Sequence, residues 1–270
     1  MRQDLEGKQP RLSKEDVKET KEEAEPVGIK HERKYDFYGY VDRIPYKGIR
    51  KTIGKNMVRA KFTAPHVTHM DEADVTKLAK VRQEGKIVAE AQGIKLTYLP
   101  FIIKALIASL RKHPFVNSTL DEENEEIILK KYYNIGVAVD TEDGLLVPVI
   151  KGADQKGVLD LAKEIVELSD KAKSRKIDLG DMKGGTFTIT NIGSLGGIFA
   201  VPIINYPEVA ILALGRIYDK VVMENDKPIV KKHLPFSVSF DHRVVDGAEI
   251  ARFATDLIKI LEEPGMMLVS

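Results

Sequence analysis

The chain has 270 residues, 43% of them hydrophobic, with 42 Lys and Arg against 41 Asp and Glu and no cysteine. A net charge of +1 supplies no global field to gather nucleic acid or an anionic membrane, and the missing thiols exclude disulfides, thiolate metal sites and a cysteine nucleophile together. No apolar run reaches the roughly 20 residues of a membrane span and the N-terminus shows no apolar signal core, so the expected location is cytoplasmic, or the matrix of a mitochondrion in a eukaryote.

The first 35 residues are rich in charge, poor in apolar side chains and punctuated by Pro10 and Pro26, the composition of a flexible linker. Beyond Phe37 the apolar density rises and its period switches repeatedly between 3.6 and 2, which predicts one mixed α/β domain. Helical spacing recurs in Ile49, Ile53, Met57 and Ala60, then in Val75, Leu78 and Val81. Thr97 with Pro100 reads as an N-cap and first turn leading into 101–110. Further helical faces fall on Leu159 to Leu168 and on Ile250 to Leu261. Strands are predicted at His66 to Ala73, Tyr133 to Val139, Leu145 to Ile150, Thr186 to Thr190, Val209 to Val222 and Ile229 to Phe240. The last two read as a hairpin turning at Glu224-Asn225-Asp226-Lys227, so the sheet is at least partly antiparallel. Asp170-Lys171-Ala172 lies within a helical pattern and reads as a solvated face.

The chemistry concentrates at two places. Ser239-Phe240-Asp241-His242-Arg243-Val244-Val245-Asp246-Gly247 puts His242 where a buried strand meets a turn. A neutral imidazole can take a proton from a thiol or hydroxyl near pH 7 and return it to a leaving group. Asp246 can orient that base, although Glu249 three positions on gives it equally the spacing of a helix cap. Acyl transfer also needs a donor to the oxyanion, and the Thr190 hydroxyl, ending a strand and opening a Gly-rich turn, is the candidate; its alternative is a turn residue bonding its own backbone. Other chemistries lack their residues. Ile192 stands where a nucleophile elbow needs glycine, His66 and His69 alternate across a strand and share no metal without help, and the Gly193 to Gly197 run has no phosphate-binding lysine or dinucleotide fingerprint.

Together, the Asp241 to Gly247 motif and the Gly184-Gly185-Thr186-Phe187-Thr188-Ile189-Thr190-Asn191-Ile192-Gly193 stretch resemble the dihydrolipoamide acyltransferase core of 2-oxo acid dehydrogenase complexes. The likeness covers about Ile44 to Leu268, including Pro65-His66-Val67-Thr68, Gly144 to Val149 and Pro207-Glu208-Val209. It implies a chloramphenicol acetyltransferase-like α/β fold, a mixed sheet covered by helices, in trimers that assemble into a larger cage. It also implies an active site shared between two subunits. Carried over by position, His242 is the base, Asp246 its supporting carboxylate and Thr190 the oxyanion donor, where many family members have serine. Arg50 matches an arginine that pairs with the motif aspartate, and Arg82, Thr97, Asp140, Asn191, Gly215 and Ile217 match coenzyme A contacts.

The same resemblance makes residues 1–18 a remnant of a peripheral subunit-binding domain, 19–43 a flexible linker and 44–270 the catalytic domain. The implied reaction moves an acyl group, branched-chain by the look of Gly93 to Phe101, between S-acyl-dihydrolipoamide and coenzyme A. The lipoyl group would be carried on a domain absent from this chain, and the 2-oxo acid dehydrogenase and dihydrolipoamide dehydrogenase subunits would be partners, with no nucleic acid, membrane or metal. Two alternatives stand beside it: a stand-alone acyl-coenzyme A-dependent acyltransferase, and a scaffold subunit whose site has decayed, which the presence of His242 disfavours. The apolar Met266-Met267-Leu268 segment is expected to dock on another trimer.

Overall fold

The structure is a computed structural model and describes residues 32–269. Residues up to Tyr46 and residues from Lys47 form two separate compact units. In the first, β1 (Glu32–Tyr35) pairs antiparallel with β2 (Tyr40–Arg43). The Asp36 carboxylate accepts from the N–H groups of Tyr38 and Gly39 and so builds the turn between them. The stretch read as linker thus contains a hairpin at 32–43, while the subunit-binding remnant expected over 1–18 lies outside the described residues.

The second unit runs α1 (Gly48–Thr63), β3 (His66–Asp74), α2 (Thr76–Glu90), α3 (Leu99–Lys112), β4 (Ser118–Asp121), β5 (Glu126–Leu129), β6 (Ile135–Val137), β7 (Val139–Thr141), β8 (Gly144–Leu146) and β9 (Val149–Ile150). It continues through α4 (Val158–Lys173), β10 (Phe187–Asn191), β11 (Ala210–Leu214), β12 (Tyr218–Glu224), β13 (Lys227–Asp241) and α5 (Gly247–Glu262). The main sheet has the order β12-β13-β11-β10-β6-β9, with β3 also paired to β13. β10 lies parallel to both β11 and β6, and the other pairings are antiparallel, so the sheet is mixed as the sequence predicts.

Strand alternation gives this sheet two unlike faces. Phe187 and Ile189 of β10, Ala210, Leu212 and Leu214 of β11, and Phe236, Val238 and Phe240 of β13 enter the main core, which α3 and α5 cover with Ile103, Leu106, Leu110, Ile250, Phe253 and Leu257. The opposite face carries Thr188, Thr190, Ile211, Ser237, Ser239 and Asp241. Part of it is closed by a small apolar cluster in which Ala60 and Ala64 of α1 and Ile204 of the 192–209 segment meet Ile211.

Three predicted elements differ in detail. The strand expected over 209–222 is two strands, because β13 runs unbroken past both and the chain must step from one half of it to the other. Gly215 makes that step, donating its N–H to the Pro235 carbonyl, and a Cβ there would lie 1.8 Å from the Ile198 carbonyl oxygen. The strand expected over 145–150 breaks at Val147 and Pro148, since proline has no N–H for the ladder. The helix expected to be capped by Thr97 has Tyr98 at its N-cap, without a side-chain cap bond, and Pro100 in its first turn. At the C-terminus Met267 folds back on the core while Leu268 is exposed.

Phe253 of α5 is fully buried, edge-on to the His113 ring at 5.9 Å and near Phe187 at 6.4 Å. Phe253→Ala is expected to destabilise the domain by about 3–5 kcal/mol, the cost of a core cavity of that size. A shift of the denaturant midpoint checks this.

Candidate active site

His242 is placed by the end of β13. Asp241, the last strand residue, is buried at 3% exposure, and a carboxylate there needs a partner. Arg243 supplies it, with Nε 3.0 and 3.1 Å and a terminal nitrogen 2.7 Å from the Asp241 oxygens, while its other terminal nitrogen reaches Glu122 at 3.1 Å. These bonds hold the Arg243 guanidinium above its ordinary value. The turn is closed further by the Arg243 N–H on the Asp241 carboxylate and by the His242 N–H on the Pro65 carbonyl at 3.0 Å. His242 itself is exposed, its ring 5.7 Å from that of Phe240, and it makes no side-chain hydrogen bond among the described residues. An imidazole fixed at its backbone and open at its ring is available to a substrate.

Asp246 is the N-cap of α5, its carboxylate accepting the Glu249 N–H at 2.7 Å. Only one half of the expected capping box forms. The Glu249 carboxylate turns instead to His113 at 2.8 Å and to Arg252. Asp246 makes no bond to His242 within the chain.

Thr190 lies on the face of β10 opposite α3 and α5. It lines a cleft of about 450 Å³ whose walls are Ile53 and Met57 of α1, Leu145 and Val147, and Ile203 of the 192–209 segment. Its hydroxyl makes no hydrogen bond among the described residues, so the turn-residue alternative does not describe it, and the group points at an apolar space. Asn191, one residue on, falls on the other face with Asp140 in a cleft of about 470 Å³.

Thr190 and His242 do not meet. Thr190 pairs with Ala213 and Ala213 with Ser237, five residues before His242. At about 3.4 Å per residue along a strand and about 4.8 Å between strands, the two Cα atoms are separated by roughly 20 Å. A base and an oxyanion donor acting on one carbonyl must each reach it at about 3 Å. The two residues of a single chain therefore do not reach a common carbonyl.

The positions matched to coenzyme A contacts do not converge either. Arg82 and Thr97 share a cleft of about 390 Å³ with Lys86 and Lys95. Arg82 there donates to the Leu96 carbonyl at 3.3 Å and lies over the Tyr98 ring at 4.7 Å. Gly215 is buried with its N–H committed to Pro235, and Ile217 packs partly buried against the core. Arg50 is exposed on α1 and pairs with neither motif aspartate, because Asp241 is taken by Arg243 and Asp246 by the start of α5.

Sequence reasoning gave no role to Glu208, which is 4% exposed behind β10. It accepts from the Thr188 hydroxyl at 2.6 Å and the Asn205 amide at 3.1 Å, and both donors line the Thr190 cleft. Burial pushes its carboxyl up to about 7, against the pull of Thr188, Asn205 and Lys130. The signal was a glutamate inside an apolar run, Pro207 to Leu214, which strand pattern alone does not explain.

The domain thus combines a mixed sheet, one face covered by α3 and α5 and the other bearing a cleft, with a strand-end histidine and a separate hydroxyl at that cleft. The family model for the 2-oxoacid dehydrogenases acyltransferase catalytic domain matches residues 39–269, and the chain belongs to that family. It is similar to the dihydrolipoyllysine-residue acetyltransferase component of the pyruvate dehydrogenase complex of Bacillus subtilis, at 49% identity over 82% of this chain and 50% of that protein. The chain spans about half the length of the curated relatives it matches. Among solved structures it resembles Azotobacter vinelandii dihydrolipoamide acetyltransferase, studied for the role of a serine, a histidine and an asparagine in its catalytic mechanism. The TM-score is 0.84 at 40% identity, covering 91% of this chain and all of that one. The same figures hold for a chain of the cubic core of the pyruvate dehydrogenase multienzyme complex.

Two measurements follow from the geometry. Asp246→Ala is expected to lower stability by about 1 kcal/mol, and Asp246→Asn by only a few tenths of that, since asparagine also caps helices; thermal melts of the two variants check the order. The folded Glu208 carboxyl is raised above its ordinary 4.5, so the stability that its proton confers is whole below that value and is lost as pH rises through about 7. Glu208→Gln, which stays neutral, should therefore gain Tm relative to the unsubstituted protein at pH 8 compared with pH 5. An equal difference at both pH values contradicts this.

Proposed function

We propose that this chain catalyses transfer of an acetyl group between S-acetyl-dihydrolipoamide and coenzyme A as part of the core of a 2-oxo acid dehydrogenase complex. The observation that carries the reading is the pair of half-sites. The A. vinelandii enzyme's serine, histidine and asparagine are spaced by 52 and 4 residues, and Thr190, His242 and Asp246 stand at the same spacings here. Threonine keeps the hydroxyl with a stiffer χ1, and aspartate keeps the helix cap. Because one chain's two residues are far apart, the working site combines His242 of one subunit with Thr190 of another. A ring closed by head-to-tail contacts meets this need, and a trimer is the smallest such ring. The likeness to a cubic-core chain supports a larger assembly of such trimers.

In this site His242 takes the proton of the coenzyme A thiol as the sulfur attacks the thioester carbonyl. The Thr190 hydroxyl donates to the oxyanion that forms. Collapse breaks the bond to the dihydrolipoyl sulfur, which receives the proton from His242. The Thr190 cleft is apolar and suits the acyl side. The Arg82–Lys86–Lys95 cleft offers cations to an anionic ligand such as coenzyme A, and the Asp140–Asn191 cleft offers polar groups to its amide-bearing arm. Acetyl rather than branched-chain transfer is favoured by the naming of the matched relatives as acetyltransferases. The dehydrogenase and dihydrolipoamide dehydrogenase subunits are the corresponding partners, with the lipoyl group delivered on its own domain.

His242→Ala should abolish acetyl transfer to coenzyme A while particle size on gel filtration is unchanged. Thr190→Val should lower kcat by about 10²–10³-fold, the usual loss for one oxyanion donor, with KM for coenzyme A little altered. Near-normal turnover in either variant sinks the mechanism.

A further inference from the structure

Both ring nitrogens of His66 are committed to backbone. The Ile204 N–H donates to Nε2 at 3.0 Å, and Nδ1 lies 2.8 Å from the Ala64 carbonyl oxygen. A donor facing Nε2 requires that nitrogen to be bare, so the proton sits on Nδ1 and is donated to Ala64. The imidazole is a neutral bracket between two segments 138 residues apart in sequence.

Each end of the bracket adjoins one half-site. On one side, Ala64 is the C-cap of α1, the Pro65 carbonyl accepts the His242 N–H, and His66 stands opposite Asp241 in the β3–β13 register. On the other side, Ile204 is fully buried in the small apolar cluster with Ala60, Ala64 and Ile211. Its neighbours Ile203 and Asn205 line the Thr190 cleft, as does Ile211 itself. Without an acceptor the buried Ile204 N–H would have to find another partner, and the 200–205 wall would move to supply it.

We propose that His66 is a positioning residue for acyl transfer, holding the wall of the Thr190 cleft through Ile204 and the backbone beneath His242 through 64–66. This rests on the acyl-transfer reading above. It differs from the metal-ligand role considered for His66 from sequence, since neither nitrogen is free.

Asparagine and glutamine separate the two bonds. An asparagine amide nitrogen can take the place of Nδ1 and keep the Ala64 bond while losing the acceptor for Ile204, whereas a glutamine oxygen can reach the place of Nε2 and keep that acceptor. The assembled protein is assayed with S-acetyl-dihydrolipoamide and coenzyme A, and backbone hydrogen exchange is followed in peptides covering 200–206. His66→Asn is expected to raise KM for the acyl donor roughly five- to tenfold, as the loss of one buried N–H partner implies, with kcat changed less than about twofold. The 200–206 peptides should exchange faster in that variant, and His66→Gln should recover both properties. Equal KM and equal exchange in the two variants overturn the proposal, and so does loss of the melting transition in His66→Asn, which would make the residue a fold determinant. Absence of transfer by the unsubstituted protein would instead sink the acyl-transfer reading, while unchanged exchange in His66→Asn would sink the bracket, so the two failures are told apart.

Discussion

The carboxylate of Asp241 must be neutralised where it lies, and the rest of the site is arranged around that need. β13 enters the sheet between β11 and β3 with every residue from Leu234 onward buried, and it ends on a charge. Loss of Arg243 would leave the buried Asp241 carboxylate without its counter-charge. Arg243 therefore turns back over the strand end to close on Asp241, and the residue between them is turned outward. His242 owes its exposure to this clamp and its backbone position to the Pro65 carbonyl, which couples the catalytic turn to the start of β3. Asp246 then completes the turn by starting α5, whose buried face locks the turn to the core.

A second constraint is the two-residue period of β10 and β11. It sends Phe187 and Ile189 into the helix-covered core and leaves Thr188 and Thr190 on the opposite face, where α1 and the 192–209 segment build a cleft over them. The period also fixes how far Thr190 lies from His242, because register across three strands converts directly into distance. In the proposed reaction the domain therefore presents two half-sites at different places, and association with another subunit would complete each. Glu208 sits behind this arrangement as a buried acid bonded to Thr188 and Asn205, and His66 ties the cleft wall to the histidine turn.

Much of this was legible in the sequence where a single element carries the signal. α3 and α5 have unbroken apolar faces, and the spacing from Asp246 to Glu249 announced a helix start. The His-x-x-x-Asp-Gly run located the exposed histidine at the end of β13. What sequence did not carry was anything set by a partner far along the chain. The break at Gly215 reflects the Ile198 carbonyl pressed against it. The missed β4–β5 hairpin hides in the charged run Asp121 to Glu126, where Asp121 accepts the N–H groups of Glu123 and Asn124. The Glu249 carboxylate leaves its own helix start for His113, and within the chain Asp241 is held by Arg243 and not by Arg50. The roles of His66 and Glu208 depend on Ile204 and Thr188, which neither periodicity nor motif spacing associates with them.

The shared site is the central claim, and subunit mixing tests it directly. His242→Ala protein, expected to be inactive, and Thr190→Val protein, expected to be slowed by about 10²–10³-fold, are dissociated, mixed in equal amounts and reassembled, with exchange verified by mass. In a ring where each site takes its histidine from one subunit and its threonine from the next, about one quarter of the sites regain both groups at random. Acetyl transfer should therefore return to about a quarter of the unsubstituted rate. Activity that stays at the level of the two separate variants after verified exchange would contradict the account.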